Sequence, residues 1–200
     1  MDNNNEISLK FLSEGKESAL ILIDLQTDYV SKHKNLLKDF PNLPKNVTSL
    51  LAQARIDNMP IIHIYEIDST NTSLWIPWWK VLHSGDCLMG EGNAEPWAQK
   101  QSNEIAFFKD TYDAFLSSTI GDELEKHLKS LNITRVFMCG VLTKACVMFT
   151  ANSAFTKGFE VFIIEDCCGD STYKDHKTVL DLYNGYHIKV VESSFIFNSK

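Results

Sequence analysis

The sequence predicts an α/β protein, a three-layer αβα (Rossmann-like) arrangement with a central, mostly parallel six-stranded sheet flanked by helices. Three observations predict it. Short apolar runs rich in Val, Ile and Phe take turns along the chain with stretches of helical spacing, which implies a parallel sheet with right-handed crossovers. Within the runs the apolar residues are continuous, the pattern of strands buried on both faces. Finally, 200 residues at 44% hydrophobic content suit one domain with a full core.

Residues 1–17 read as a polar N-terminal arm and 18–200 as the domain, without internal repeats. The first strand, Ala19 to Asp24, is apolar until its closing acid, and Gln26, Asp28 and Tyr29 follow in the turn. Pro44 to Asp57 has helical periodicity through Val47, Leu50, Leu51 and Ala54, with Pro44 acceptable in a first turn. Pro60 to Tyr65 is the second strand. Residues 66–103 form a long, poorly periodic connection that holds all four tryptophans, Trp75, Trp78, Trp79 and Trp97. Connections of this kind often serve as lids or interfaces, and Trp is enriched at binding hot spots. The competing reading is local packing that anchors a long connection.

Ile105 to Lys109 is a third strand, and a helix runs from about Ile120 to Leu131. Ile133 to Cys139 is the fourth strand and Val147 to Lys157 the helix after it. Val161 to Asp166, a helix from Tyr173 to Tyr183, and a last strand from Ile188 to Val191 complete the pattern.

Charge and cysteine content narrow the function classes. A net charge of −7 and a pI near 5.3, with no cluster of Lys or Arg, argue against nucleic acid as a partner. No apolar run approaches the roughly 20 residues that cross a bilayer, so no membrane partner is expected. The polar, acidic start of the chain resembles no signal or transit peptide. Five cysteines without a CxxC pair fit free thiols in a reducing compartment, so the expected location is cytoplasmic.

Three polar side chains close three of the apolar runs: Asp24, Lys109 and, one turn beyond its strand, Cys146. The carboxyl ends of parallel strands share one edge of the sheet, where open α/β sheets bind ligands. The three chemistries are complementary. Asp24 can take a proton from a thiol, and Lys109 can favour a thiolate and steady a negatively charged intermediate. The start of the following helix should also favour a Cys146 thiolate. Each residue alone has a plainer reading: a buried Cys, a turn-capping Asp, a solvated Lys.

With these residues in place, the sequence resembles the isochorismatase-like cysteine hydrolase superfamily. The likeness rests on Ile23-Asp24-Leu25-Gln26-Thr27-Asp28-Tyr29, on Lys109 within Phe108 to Phe115, and on Gly140-Val141-Leu142-Thr143-Lys144-Ala145-Cys146-Val147. The stretches Thr150 to Phe155, Lys157 to Val161 and Glu165-Asp166 agree with it, so it covers roughly residues 19–191. The resemblance implies that Asp24 is the general base, Lys109 the triad lysine and Cys146 the nucleophile. It also implies a non-proline cis peptide between Val141 and Leu142, which aims the Leu142 and Cys146 backbone N–H groups into an oxyanion hole. The implied reaction is amide hydrolysis through a thioester. Family members are commonly homodimers or homotetramers, and the Trp-rich connection is a candidate interface.

Departures from the family pattern refine this. Metal-dependent members such as nicotinamidases carry Asp-x-His after the second strand; here the place reads Glu66-Ile67-Asp68-Ser69-Thr70, and His83 on the long connection lacks partners at ligand spacing. No metal and no cofactor are therefore expected. Isochorismate, cleaved at a vinyl ether, is a dicarboxylate suited to Arg, and the chain has only Arg55 and Arg135. A small amide or carbamoyl compound is the preferred substrate, with isochorismate as the alternative. A non-catalytic or redox-sensing oligomeric member, in which Cys146 senses oxidants and Cys167-Cys168 supports the role, is the reading from another class. Gln26, Tyr29, Trp75, Trp79 and Lys144 are the expected substrate contacts; for Lys144 the plainer reading is a solvated turn residue.

Overall fold

Six strands carry the fold in the residues that the computed structural model describes, 17–33, 36–67 and 93–197. They are β1 (Glu17–Ile23), β2 (Ile61–Glu66), β3 (Ile105–Lys109), β4 (Ile133–Val141), β5 (Glu160–Gly169) and β6 (Lys189–Val191). They form one sheet in the order β3-β2-β1-β4-β5-β6, and every neighbouring pair is parallel. Around it lie α1 (Thr27–Lys32), α2 (Leu36–Asp39), α3 (Leu43–Ile56), α4 (Glu123–Ser130), α5 (Met148–Thr156), α6 (Tyr173–Tyr183) and α7 (Ser193–Phe197). The strand order runs outward both ways from the β1–β4 pair. Right-handed crossovers toward β3 and toward β6 therefore lay their helices on opposite faces. That is the three-layer architecture expected from the sequence. Most of the N-terminal arm, and Trp75, Trp79 and His83 of the long connection, lie outside the described residues.

The core is what the apolar runs imply. Ala19 to Ile23 are at most 2% exposed, and every residue of β2 is buried. From α3, Val47, Leu50, Leu51 and Ala54 pack inward, the 3.6-residue stripe read from the sequence. Two ion pairs and one histidine–carboxylate contact border this apolar frame. Arg135 meets Glu160 at 3.0 Å, and Glu104 receives both Arg55 (2.7 Å) and His63 (2.9 Å). Both arginines of the chain are thus engaged in structural pairs.

Element boundaries differ where the backbone does something local. β4 continues past Cys139 through Val141 because Gly140, at φ +129°, lets the strand press against β1; a Cβ there would lie 2.0 Å from the Ile23 carbonyl oxygen. The β4–β5 register shifts between Met138 and Gly140, and β5 runs on to Gly169, taking Cys167 and Cys168 into the strand as buried residues. Thr143–Val147 is a wide turn closed by Val147 N–H donating to the Leu142 carbonyl, so α5 starts at Met148. Before α4 the chain turns instead of coiling, with Gly121 N–H donating to Ser117 O and Glu123 N–H to Ile120 O. α1 occupies the turn expected after β1, and α2 lies in a stretch for which the sequence predicts no element.

Candidate active site

The strand order reverses direction at β1 and β4, and the crevice outside their carboxyl ends is where such sheets bind ligands. Asp24 follows β1 directly. Its φ of +52° is left-handed, a region Asp tolerates better than most residues, and it turns the chain out of the sheet. The turn is fixed by Asp24 N–H donating to Ile64 O (2.9 Å) and Gln26 N–H donating to Asp24 O (2.8 Å). Glu66 and Lys109 are the last residues of β2 and β3 and pair across them in register. Cys146 arrives from the other side, in the turn after β4.

These four side chains meet. The Lys109 ammonium lies 2.7 Å from Asp24 Oδ2, 2.9 Å from Glu66 Oε2 and 3.5 Å from Cys146 Sγ, and also donates to the Thr111 carbonyl at 2.9 Å. The thiol donates toward Glu66 Oε2 at 3.8 Å. None of the four residues is more than 5% exposed. The structure thus brings the three sequence-predicted residues together and adds a second carboxylate to them.

Burial decides the electrostatics. Asp24 is pushed up to about 6 by desolvation, with Glu66 adding to the rise and Lys109 opposing it. Burial alone would lower Lys109; Asp24, Cys146 and Glu66 around it hold it well above its ordinary value, so it stays an ammonium. The Cys146 thiol is pushed well up, first by burial and then by Asp24 and Glu66, against the pull of Lys109. This corrects the expectation of a helix-stabilised thiolate: α5 begins two residues later, and two nearby carboxylates outweigh one ammonium.

The turn that carries Cys146 is held from β5. Asp170, fully buried, accepts from Lys144 N–H (2.7 Å) and Ser171 N–H (2.6 Å). Thr143 Oγ1 donates to the Gly169 carbonyl at 3.0 Å and lies 2.8 Å from Nδ1 of buried His176. Ala145 N–H and Val147 N–H both donate to the Leu142 carbonyl. The Val141–Leu142 peptide bond at the head of this turn is cis. On the far side, residues after β3 clamp onto α5. Asp113 accepts from Ser153 Oγ and Phe115 N–H, and Ala114 N–H donates to Thr150 Oγ1.

The other predicted site residues fall in different places. Tyr29 is buried and faces the cluster: its hydroxyl is pushed up, by burial first, then by Glu66, Asp24 and Cys146. Gln26, expected to touch substrate, is closed off behind the site, where its side-chain amide clasps both the N–H (2.8 Å) and the carbonyl (3.0 Å) of Glu66. Lys144 is half-exposed and its ammonium goes to Asp175 (2.5 Å) and Asp170 (3.5 Å). Two site residues were not singled out from the sequence. Glu66 closes an apolar run as Asp24 does, and the strand-end rule applied to Asp24 finds it equally. Tyr112 sits near Cys146, which helps raise its hydroxyl after burial, and its ring stacks on half-exposed Phe149 at 5.8 Å.

Among the described residues, one group of potential ligand atoms lies within 4.8 Å of one another, those of Asp24, Glu66 and Cys146. The Lys109 ammonium is in contact with all three, so the place between them already holds a cation. No described helix is long and apolar enough to cross a membrane.

Comparison with known proteins gives one consistent answer. The family model for the isochorismatase domain matches residues 18–194. The uncharacterised isochorismatase family protein YddQ of Bacillus subtilis is 22% identical over 78% of this chain and 79% of its own length. Nicotinamidase 3 of Arabidopsis thaliana is 26% identical, with 86% of this chain and 83% of that protein covered. Among solved structures, a cysteine hydrolase from Pseudomonas syringae superposes with a TM-score of 0.75 at 16% identity, over 92% of this chain and 94% of that one.

Proposed function

The chain belongs to the isochorismatase family, and from that premise we propose that this hydrolase is a cysteine amidohydrolase acting on a small amide or carbamoyl compound. The observation that carries the reading is the contact cluster of Asp24, Lys109 and Cys146, buried at the carboxyl edge of the sheet.

In the proposed mechanism Asp24 takes the proton of the Cys146 thiol as the sulfur attacks the substrate carbonyl carbon. A C–S bond forms and the carbonyl electron pair moves to oxygen, which the Leu142 and Cys146 amides receive. Donors aimed at such an oxygen are worth about 3 kcal/mol of barrier each. Collapse breaks the C–N bond, and the amine leaves with the proton held by Asp24. Water then attacks the thioester and returns a proton to Asp24; collapse frees the acid and the sulfur, which regains its proton. Asp24, at about 6, is matched to giving and taking protons near neutrality. Lys109 stays charged throughout and orients both partners.

Charge supports the choice of substrate. Among the described residues the cluster holds two carboxylates and one ammonium, Lys144 is paired with Asp175, and Arg55 and Arg135 are paired elsewhere. That environment suits an uncharged amide over the dicarboxylate isochorismate. Catalysis is proposed to need no metal, because the Lys109 ammonium fills the place between the candidate ligands; stoichiometric zinc in protein purified without chelator would overturn this. We likewise propose a cytoplasmic location, on composition, and a homodimer or homotetramer, on family habit.

The experiment is a panel of neutral primary amides, carbamoyl acids, nicotinamide and isochorismate, read by ammonia or amine release and by pyruvate formation. Release from a neutral amide, lost in Cys146→Ala, supports the reading. Pyruvate from isochorismate with no amide turnover contradicts it.

A further inference from the structure

The described site holds one cation between two acids. Lys109 Nζ is 2.7 Å from Asp24 and 2.9 Å from Glu66, and Cys146 Sγ is 3.5 Å from the ammonium and 3.8 Å from Glu66 Oε2. With the thiol protonated, these four side chains carry one net negative charge, and none of them is more than 5% exposed. The other titratable groups facing the sulfur are Tyr29 from α1 and Tyr112 after β3, both kept neutral by burial. The main chain that carries Glu66 is fixed, because Gln26 clasps the Glu66 N–H and carbonyl together.

On the reading that Cys146 is the nucleophile, we propose that Glu66 is a positioning residue whose fixed charge holds Lys109 against Asp24 and keeps the resting Cys146 a thiol until a substrate carbonyl is in place. The argument is one of charge. Losing the thiol proton to solvent would put a second net negative charge among these groups, which a low-dielectric pocket opposes. Passing the proton from sulfur to Asp24 leaves the total unchanged. The thiolate therefore forms by internal transfer, with Glu66 still in contact with Lys109 at 2.9 Å, and its charge moves on to the carbonyl oxygen as the C–S bond forms. Between turnovers the sulfur is a poor target for adventitious alkylating agents. Glu66 also gives Gln26 its place behind the site: Gln26 holds the main chain from which the Glu66 carboxylate reaches the lysine.

The test is the pH dependence of Cys146 alkylation by iodoacetamide, read as modification of the Cys146 peptide by mass spectrometry and accompanied by thermal unfolding. Wild type is compared with Glu66→Gln, which keeps the main-chain clasp and the side-chain volume, and with Glu66→Asp, which keeps the charge but draws it back from the ammonium. The Glu66→Gln profile is expected to move at least one pH unit lower, so that Cys146 reacts roughly tenfold faster at pH 7. Glu66→Asp is expected to move the same way by less. Should Glu66→Gln fail to fold, the sign of the Glu66→Asp shift decides. A profile that coincides with wild type, or moves upward, overturns the proposal. Failure of the underlying reading is distinct: Cys146→Ala would then keep its turnover whichever residue stands at position 66.

Discussion

The Lys109 ammonium lies 2.7 Å from the Asp24 carboxylate, and neither side chain is more than 1% exposed. A pair sealed this way binds the end of β3 to the end of β1 across β2, so the same contact orders the site and holds the sheet edge. Breaking a buried pair from one side leaves the other charge uncompensated, which typically costs about 3–5 kcal/mol. Lys109→Met should therefore lose stability of that order at pH 7 in urea unfolding. The loss should shrink at pH 5, where Asp24 takes up a proton.

Asp24 also predicts how stability changes with pH. Its folded value, about 6, lies above the ordinary 3.8, so the folded state binds this proton more tightly than the unfolded state. The stability it contributes is fully present below 3.8 and is lost as pH rises through about 6. Asp24→Asn removes that dependence. The stability difference between the variant and wild type should move in the variant's favour from pH 4 to pH 7, measured by unfolding free energies at both.

Turnover by wild type should fall on the acid side with a midpoint near 6, where the base becomes protonated. Asp24→Asn should lower kcat by about 10²–10⁴-fold, the usual worth of a positioned base. A variant with full activity and an unchanged acid limb would remove Asp24 from the mechanism.

Gly140 lies where β4 presses on β1, and an added Cβ would meet the Ile23 carbonyl oxygen at 2.0 Å. Gly140→Ala should lose at least ~3 kcal/mol, the class of effect reserved for forced backbone movement. Gly158, at φ +92° with open space where a Cβ would stand, is the control: Gly158→Ala should cost only about 1–2 kcal/mol. Comparing both by chemical denaturation separates contact from conformation.

Asp170 holds the nucleophile turn through Lys144 N–H and Ser171 N–H. Asp170→Ala leaves both donors without that acceptor, which should cost about 1–3 kcal/mol. If the turn sets the oxyanion hole, kcat should fall more than KM rises. Equal unfolding curves with unchanged kinetics would show that the turn holds itself.

Asp24, Lys109 and Cys146 were legible because each closes or follows an apolar run, and parallel strands bring such ends to one edge. Glu66 obeys the same rule, yet the sequence marks its position for lacking a metal-ligand pattern and not for what it carries. The partners of Gln26 and Lys144 are invisible in the sequence for a related reason. Sequence marks both residues as polar and near the site, but only the fold shows that Glu66 takes the Gln26 amide and Asp175 the Lys144 ammonium. The sign of the Cys146 shift depends on burial and on counting every charge nearby, which no local motif encodes. The strands were read within a few residues because their periodicity is strong. α1 and α2 were missed because four to six residues carry too little of it.

The central claim is that Cys146 forms a covalent acyl intermediate. Its most direct test is acid quenching during turnover of the best amide from the panel, followed by mass spectrometry of the Cys146 peptide. The account predicts an added mass equal to the acyl group, on Cys146 alone, absent in Asp24→Asn. Steady product release with no adduct at any quench time, together with full turnover by Cys146→Ala, would contradict it.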